Sequence, residues 1–138
     1  MDSKKDEKVK FCQVRSIVEM DVPVWHSGLT KHQISSIEKI QKVSFKIILG
    51  EQYKSYFQAR KVLSAQTLDE RRSKLCLNFA KMNLKTQESF FTKLQTNRNT
   101  RRKANLVEEY KCRTDRFERS SLPYLAKILN HDYKTKPR

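Results

Sequence analysis

The side chains that could ligate a metal ion or attack a substrate are few and far apart: Cys12, Cys76, Cys112, His26, His32 and His131. A zinc site needs four ligands, ordinarily arranged as two close pairs, and no close pair occurs here. Nor does any of these residues have a recognisable partner for nucleophilic catalysis. Phosphoryl chemistry on two metal ions requires clustered carboxylates. The aspartates, Asp2, Asp6, Asp21, Asp69, Asp115 and Asp132, are scattered, mostly among lysines and arginines, with no Asp-Asp pair. Gly28 and Gly50 are the only glycines, so neither a phosphate-cradling glycine loop nor a dinucleotide fingerprint can be built. The expectation is a chain with no catalytic residues of its own, no metal, no cofactor and no small-molecule substrate.

Charge carries the remaining chemical signal. Thirty Lys and Arg against fifteen Asp and Glu give a formal charge of +15, which favours polyanions through counterion release. Three clusters stand out: Lys39, Lys42 and Lys46; Arg71, Lys74, Lys81 and Lys85; and Arg98, Arg101, Arg102 and Lys103. Evenly spaced cations on rigid helices can follow the phosphates of an A-form RNA or RNA–DNA hybrid, which is recognised by shape more than by base edges. Against each cluster stands the plainer reading of a solvated helix face, since surface lysines are abundant in any protein. Trp25 and His26 could stack on bases. A Trp beside Pro, Val and Gly at a helix junction is more often a packing anchor, and that reading is preferred. Arg113, Asp115, Arg116 and Arg119 lie close together and suit local salt bridging that fixes the lead-in to a last helix.

Helices must position these residues, because two glycines and three prolines are too few for a turn-rich β-fold. Periodicity predicts a first helix from about Lys8 to Met20, with Phe11, Val14 and Val18 on one face and Ile17 beside them, interrupted or kinked at Pro23. Thr30 with Gln33, Ser55 with Gln58, and Thr67 with Glu70 each have capping-box spacing. They predict helices from Thr30 to Gly50, from Tyr56 to Leu63 and from Leu68 to about Lys85. In the first, Ile34, Ile37, Ile40, Ile47 and Ile48 share an apolar side opposite the lysines. In the last, Leu68, Leu75, Phe79 and Met82 form the apolar side. Residues 97 to 103 read as a basic loop, and Ser121 with Pro123 opens a short final helix carrying Leu122, Leu125 and Leu129. From Asn130 onward the chain is expected to be loose. The fold class is all-α, a small irregular bundle of about four to five helices with a basic loop and a short C-terminal helix. One domain is expected overall, divided into a helical core at 1–91, a basic irregular segment at 92–120 and a terminal helix with its tail at 121–138. An odd number of widely spaced cysteines, with no secretion signal after Met1, suits a reduced, intracellular setting, cytoplasmic or nuclear. No run approaches the ~20 apolar residues of a membrane span.

The order of motifs adds a resemblance. PVWHSGLT from Pro23, a helix ending in IILG, an SY segment, TLDERRSKLCLNFA, and finally CRTDR and PYL occur in succession. This order resembles the C-terminal part of a non-LTR retrotransposon reverse transcriptase, of the Jockey-type LINE class, from about Lys10 to Asn130. The resemblance implies a thumb-like, post-palm segment of an RNA-directed DNA polymerase, where template and primer are gripped. The aromatic-Ala-Asp-Asp turn of such a polymerase is missing, as is the Cys-Cys-His-Cys knuckle that ends some LINE-class proteins. The resemblance therefore implies a non-catalytic fragment that contributes binding of RNA or RNA–DNA hybrid, with the palm of a parent polymerase as a further partner. The alternative is a stand-alone helical protein-interaction module, or a decayed remnant, exposing Phe45, Ile48, Phe90 or Phe91. Attachment to anionic membranes ranks last, because no Trp- or Phe-rich face is read beside the lysines.

Overall fold

Side-chain caps fix where the long helices begin. In the computed structural model, which describes residues 3–94 and 105–135 and side chains from Asp6 onward, Thr30 accepts from the Gln33 N–H at 3.3 Å while Gln33 accepts from the Thr30 N–H at 2.9 Å. The same reciprocal pair joins Thr67 and Glu70, each bond 3.3 Å, and Ser55 accepts from the Gln58 N–H at 3.2 Å. Each satisfies backbone donors that a helix start leaves unpaired. The described residues hold seven α-helices: α1 (Ser3–Val18), α2 (Val22–Trp25), α3 (Lys31–Leu49), α4 (Tyr56–Val62), α5 (Leu68–Lys85), α6 (Asp115–Glu118) and α7 (Ser121–Thr135). α2 and α6 are single turns of four residues, and single 3-10 turns come after α2 at His26–Gly28 and after α3 at Gly50–Gln52. The fold is all-α. Among the described residues no strand forms; one antiparallel bridge joins Lys93 to Val107.

By its internal contacts the chain divides into two compact units, Met1–Asp21 with Leu29–Arg72, and Val22–Gly28 with Ser73–Arg138. These limits differ from the breaks at 91 and 120 that composition suggests. In the first unit α1 and α4 pack against α3, and the core gathers Phe11, Phe45, Leu49, Ala59, Leu63 and Ala65. The Phe11 and Phe45 rings lie 5.2 Å apart, and Phe45 stacks on Tyr56 at 5.5 Å. α3 ends at Gly50, whose φ of +49° and ψ of −122° suit a residue without a Cβ.

The second unit is built on Val22, Cys76, Ala80, Phe91, Val107, Leu125, Ala126 and Leu129, with Trp25 packed against them. α2 and α7 are in contact, and His26 meets the Tyr124 ring edge-on at 5.5 Å. Asn130 clips residues 105–110 to α7. Its Oδ1 accepts from the Leu106 and Val107 N–H groups at 2.9 and 3.0 Å, and its Nδ2 donates to the Val107 carbonyl at 3.1 Å.

Several sequence expectations are corrected. The terminal helix is not short: it spans fifteen residues and runs to Thr135, so Asn130 is a buried helical residue rather than the start of a loose tail. α1 begins at Ser3 and ends at Val18, before Pro23, which sits inside the first turn of α2 where its missing N–H is harmless. On α3 the buried residues are Gln41, Ser44, Phe45 and Leu49, while Ile40 and Ile47 face solvent. On α5, Leu68, Arg72, Cys76 and Ala80 are buried at four-residue spacing, whereas Phe79 and Met82 are exposed. Phe45 and Phe91, expected as exposed interaction residues, are each buried in the core of their own unit.

Candidate functional site

The lysine row on α3 is presented to solvent. Lys39, Lys42 and Lys46 are all exposed, and none has an ion-pair partner among the described residues. The 3.6-residue repeat places them on one side of the helix. Aromatic rings from the segment after α3 hold two of them: Lys42 Nζ lies 5.2 Å from the Tyr56 ring centre and Lys46 Nζ 5.8 Å from that of Tyr53. The Arg60 guanidinium stands 5.9 Å from Tyr56, and Lys61 Nζ lies 4.5 Å from Phe57, an exposed ring. A ring attracts a cation without neutralising it, so these contacts orient charge that stays available to phosphate. Sequence reasoning singled out the lysines and missed Tyr53, Tyr56, Phe57, Arg60 and Lys61. The signal is YKSYFQARK, where three aromatic and three cationic residues fall within nine positions.

Tyr56 is the anchor of this face. Its hydroxyl donates to the Glu38 carboxylate and accepts from Gln41 Nε2 at 2.9 Å. Burial, and then the Glu38 hydrogen bond, push its pKa up to about 12.

The α5 cations are less available than their spacing suggests. Arg71 Nε binds both oxygens of Glu19, at 2.6 and 2.8 Å, and Lys81 Nζ pairs with Asp132 at 2.9 Å. Glu19 is itself flanked by Arg15, whose pKa is lowered chiefly by burial against the pull of Glu19, and whose Nη2 donates to the Gln66 carbonyl at 2.8 Å. Lys74 and Lys85 are exposed and lack an ion-pair partner among the described residues. Arg71 belongs to the first unit and the other three to the second. Arg98, Arg101, Arg102 and Lys103 lie outside the described residues.

Of the remaining candidates, Trp25 packs on the core of the second unit and Cys76 is filled into it, while Cys12 is exposed. Among the described residues no group of three or more His, Cys, Asp or Glu side chains stands close enough to hold a metal ion. In the CRTDRFER stretch the ion pair that forms is Glu118 with Lys127, 2.6 Å, rather than one among Arg113, Asp115, Arg116 and Arg119. Thr114 caps α6 by accepting from the Phe117 N–H at 3.3 Å. Among the described residues no helix is long and apolar enough to cross a membrane.

Comparison with protein families, with characterised proteins and with solved structures brought no match. What the described surface can do is therefore argued from its own chemistry. It offers cations at helical spacing beside aromatic rings, which suits a phosphate backbone with unstacked bases beside it.

Proposed function

We propose that the chain is a non-catalytic C-terminal fragment of a LINE-class RNA-directed DNA polymerase that contributes binding of RNA or RNA–DNA hybrid. The ordered motifs from Pro23 to Leu125 support the family reading. The observation that carries the binding reading is the exposed Lys39, Lys42, Lys46 row, in which Lys42 and Lys46 are joined through cation–π contacts to Tyr56 and Tyr53. Polymerisation would have to come from carboxylates that this sequence lacks, and no nucleotide incorporation is expected with added magnesium.

The test is titration of a labelled RNA–DNA hybrid at several salt concentrations. Replacing Lys39, Lys42 and Lys46 together by Ala should flatten the dependence of log K on log salt by about 3 phosphate equivalents. Arg71→Ala serves as the contrast: it breaks the Glu19 pair, so it should lower stability and leave the slope alone. An unchanged slope in the triple variant would remove α3 from the interface. A second reading, the protein-interaction module, is favoured by a different observation, the aliphatic residues that α3 leaves in water.

A further inference from the structure

α3 is amphipathic twice over. Its buried side carries Gln41, Ser44, Phe45 and Leu49. A separate row, Ile40, Val43 and Ile47, is exposed, at 48%, 54% and 78%. The spacing of three and then four residues is that of successive a, d and a positions of a heptad, the seam along which two helices interlock. Single exposed aliphatic residues are ordinary. Three in register on one helix of nineteen residues form a continuous strip.

Charge decides what covers it. In the same register Lys39 and Lys46 occupy the g positions beside the strip, and Lys42 lies further round on the same flank. The e positions are Ile37 and Ser44, neither of them acidic. The one carboxylate on α3, Glu38, is half-buried and already accepts from Tyr56. A second copy of α3 therefore brings no carboxylate on the helix itself to meet these lysines. Paired in parallel, Lys39 would face Ser44, and Lys46 would face position 51, whose Glu51 lies past the end of α3 in the Gly50–Gln52 turn; paired antiparallel, the lysines would face each other, between two chains of +15 each. We infer that the Ile40, Val43, Ile47 strip docks an amphipathic helix of a partner whose own apolar seam is flanked by Glu or Asp, so that those carboxylates meet Lys39 and Lys46. Such a partner would compete with nucleic acid for the same lysines. The inference itself rests on the aliphatic strip and holds whether or not RNA binds.

The experiment uses the full chain and a fluorescent synthetic peptide of about three heptads, with Leu at a and d and Glu at e and g. A scrambled peptide of identical composition, and one with Lys in place of Glu, serve as comparisons. The acidic amphipathic peptide should bind at least about tenfold more tightly than the scrambled one. Val43→Ser with Ile47→Ser should abolish that difference while helicity by circular dichroism stays unchanged. Lys39→Glu with Lys46→Glu should transfer the preference to the Lys peptide, a gain that damage to the fold cannot produce. Equal binding of acidic and scrambled peptides would overturn the proposal. So would a concentration-dependent dimer abolished by Val43→Ser and Ile47→Ser, which would make a second copy the occupant. Binding to phosphatidylserine vesicles that the same pair of substitutions abolishes, without any peptide preference, would overturn it in favour of a lipid surface.

Discussion

Asn130 shows how much one side chain can organise. Its amide accepts two backbone N–H groups and donates to a carbonyl, which lets residues 105–110 lie against α7 without losing backbone hydrogen bonds. Asn130→Ala leaves those groups without their partner in a buried place, at a cost of about 3 kcal/mol, to be read from urea unfolding. A loss well under 1 kcal/mol would mean that water replaces the amide. Tyr56 makes a prediction with a sign. Its pKa rises from 10.0 to about 12 on folding, so between these values the unfolded chain loses its proton while the folded one keeps it. The stabilising contribution is complete below pH 10 and is lost as the pH rises towards about 12. Unfolding midpoints of the native chain should therefore fall more steeply over this range than those of Tyr56→Phe. Parallel curves would show that the phenol titrates normally.

At the level of elements, the sequence revealed helix ends better than helix faces. Thr30, Ser55 and Thr67 act within a few residues of themselves, so their pattern is readable locally. Which side of α3 is buried depends on α1 and α4, and the helix carries two apolar stripes. Local periodicity could not choose between Ile40 with Ile47 and Phe45 with Leu49. The pairing of Arg71 with Glu19 spans 52 positions, and for that reason a cation that its spacing presents as free is held by a carboxylate. Of the candidate site, the lysine row is legible from helical spacing, whereas its aromatic supports come from residues beyond the end of α3 and depend on how the chain turns back after Gly50. α4 supplies this scale's prediction. It ends in a Schellman arrangement, with Ser64 N–H bonded to the Lys61 carbonyl at 3.2 Å and Ala65 N–H to that of Arg60 at 2.8 Å, and Ser64 held at φ 51°. A left-handed residue here favours glycine. Ser64→Gly should stabilise the protein by about 1 kcal/mol, and a loss of stability would place an unseen role on the serine side chain.

At the scale of the molecule, the two units interleave in sequence, since Val22–Gly28 belongs with residues beyond Ser73. Composition changes gradually along a chain and cannot show that α2 packs with α7. Charge, by contrast, was fully legible, and it opposes folding. A formal +15 over 138 residues repels itself in the compact state, and the described ion pairs are a handful, two of them, Glu19 with Arg71 and Lys81 with Asp132, joining distant parts of the chain. Screening shortens the reach of charge from about 30 Å at ~0.01 M salt to about 8 Å at ~0.15 M. Salt weakens repulsion among many exposed lysines more than attraction within a few short, partly buried pairs. Thermal unfolding in sodium chloride should therefore shift upward across this range, by about 4 °C if the gain is about 1 kcal/mol. Affinity for a nucleic acid should fall over the same interval, because the release of counterions gains less when the surrounding solution already holds many. Opposite responses of stability and binding are the signature of uncompensated cations. A melting temperature that dropped with salt would instead show that the Glu19 and Asp132 pairs outweigh the repulsion, and that the basic faces are more neutralised than their exposure indicates.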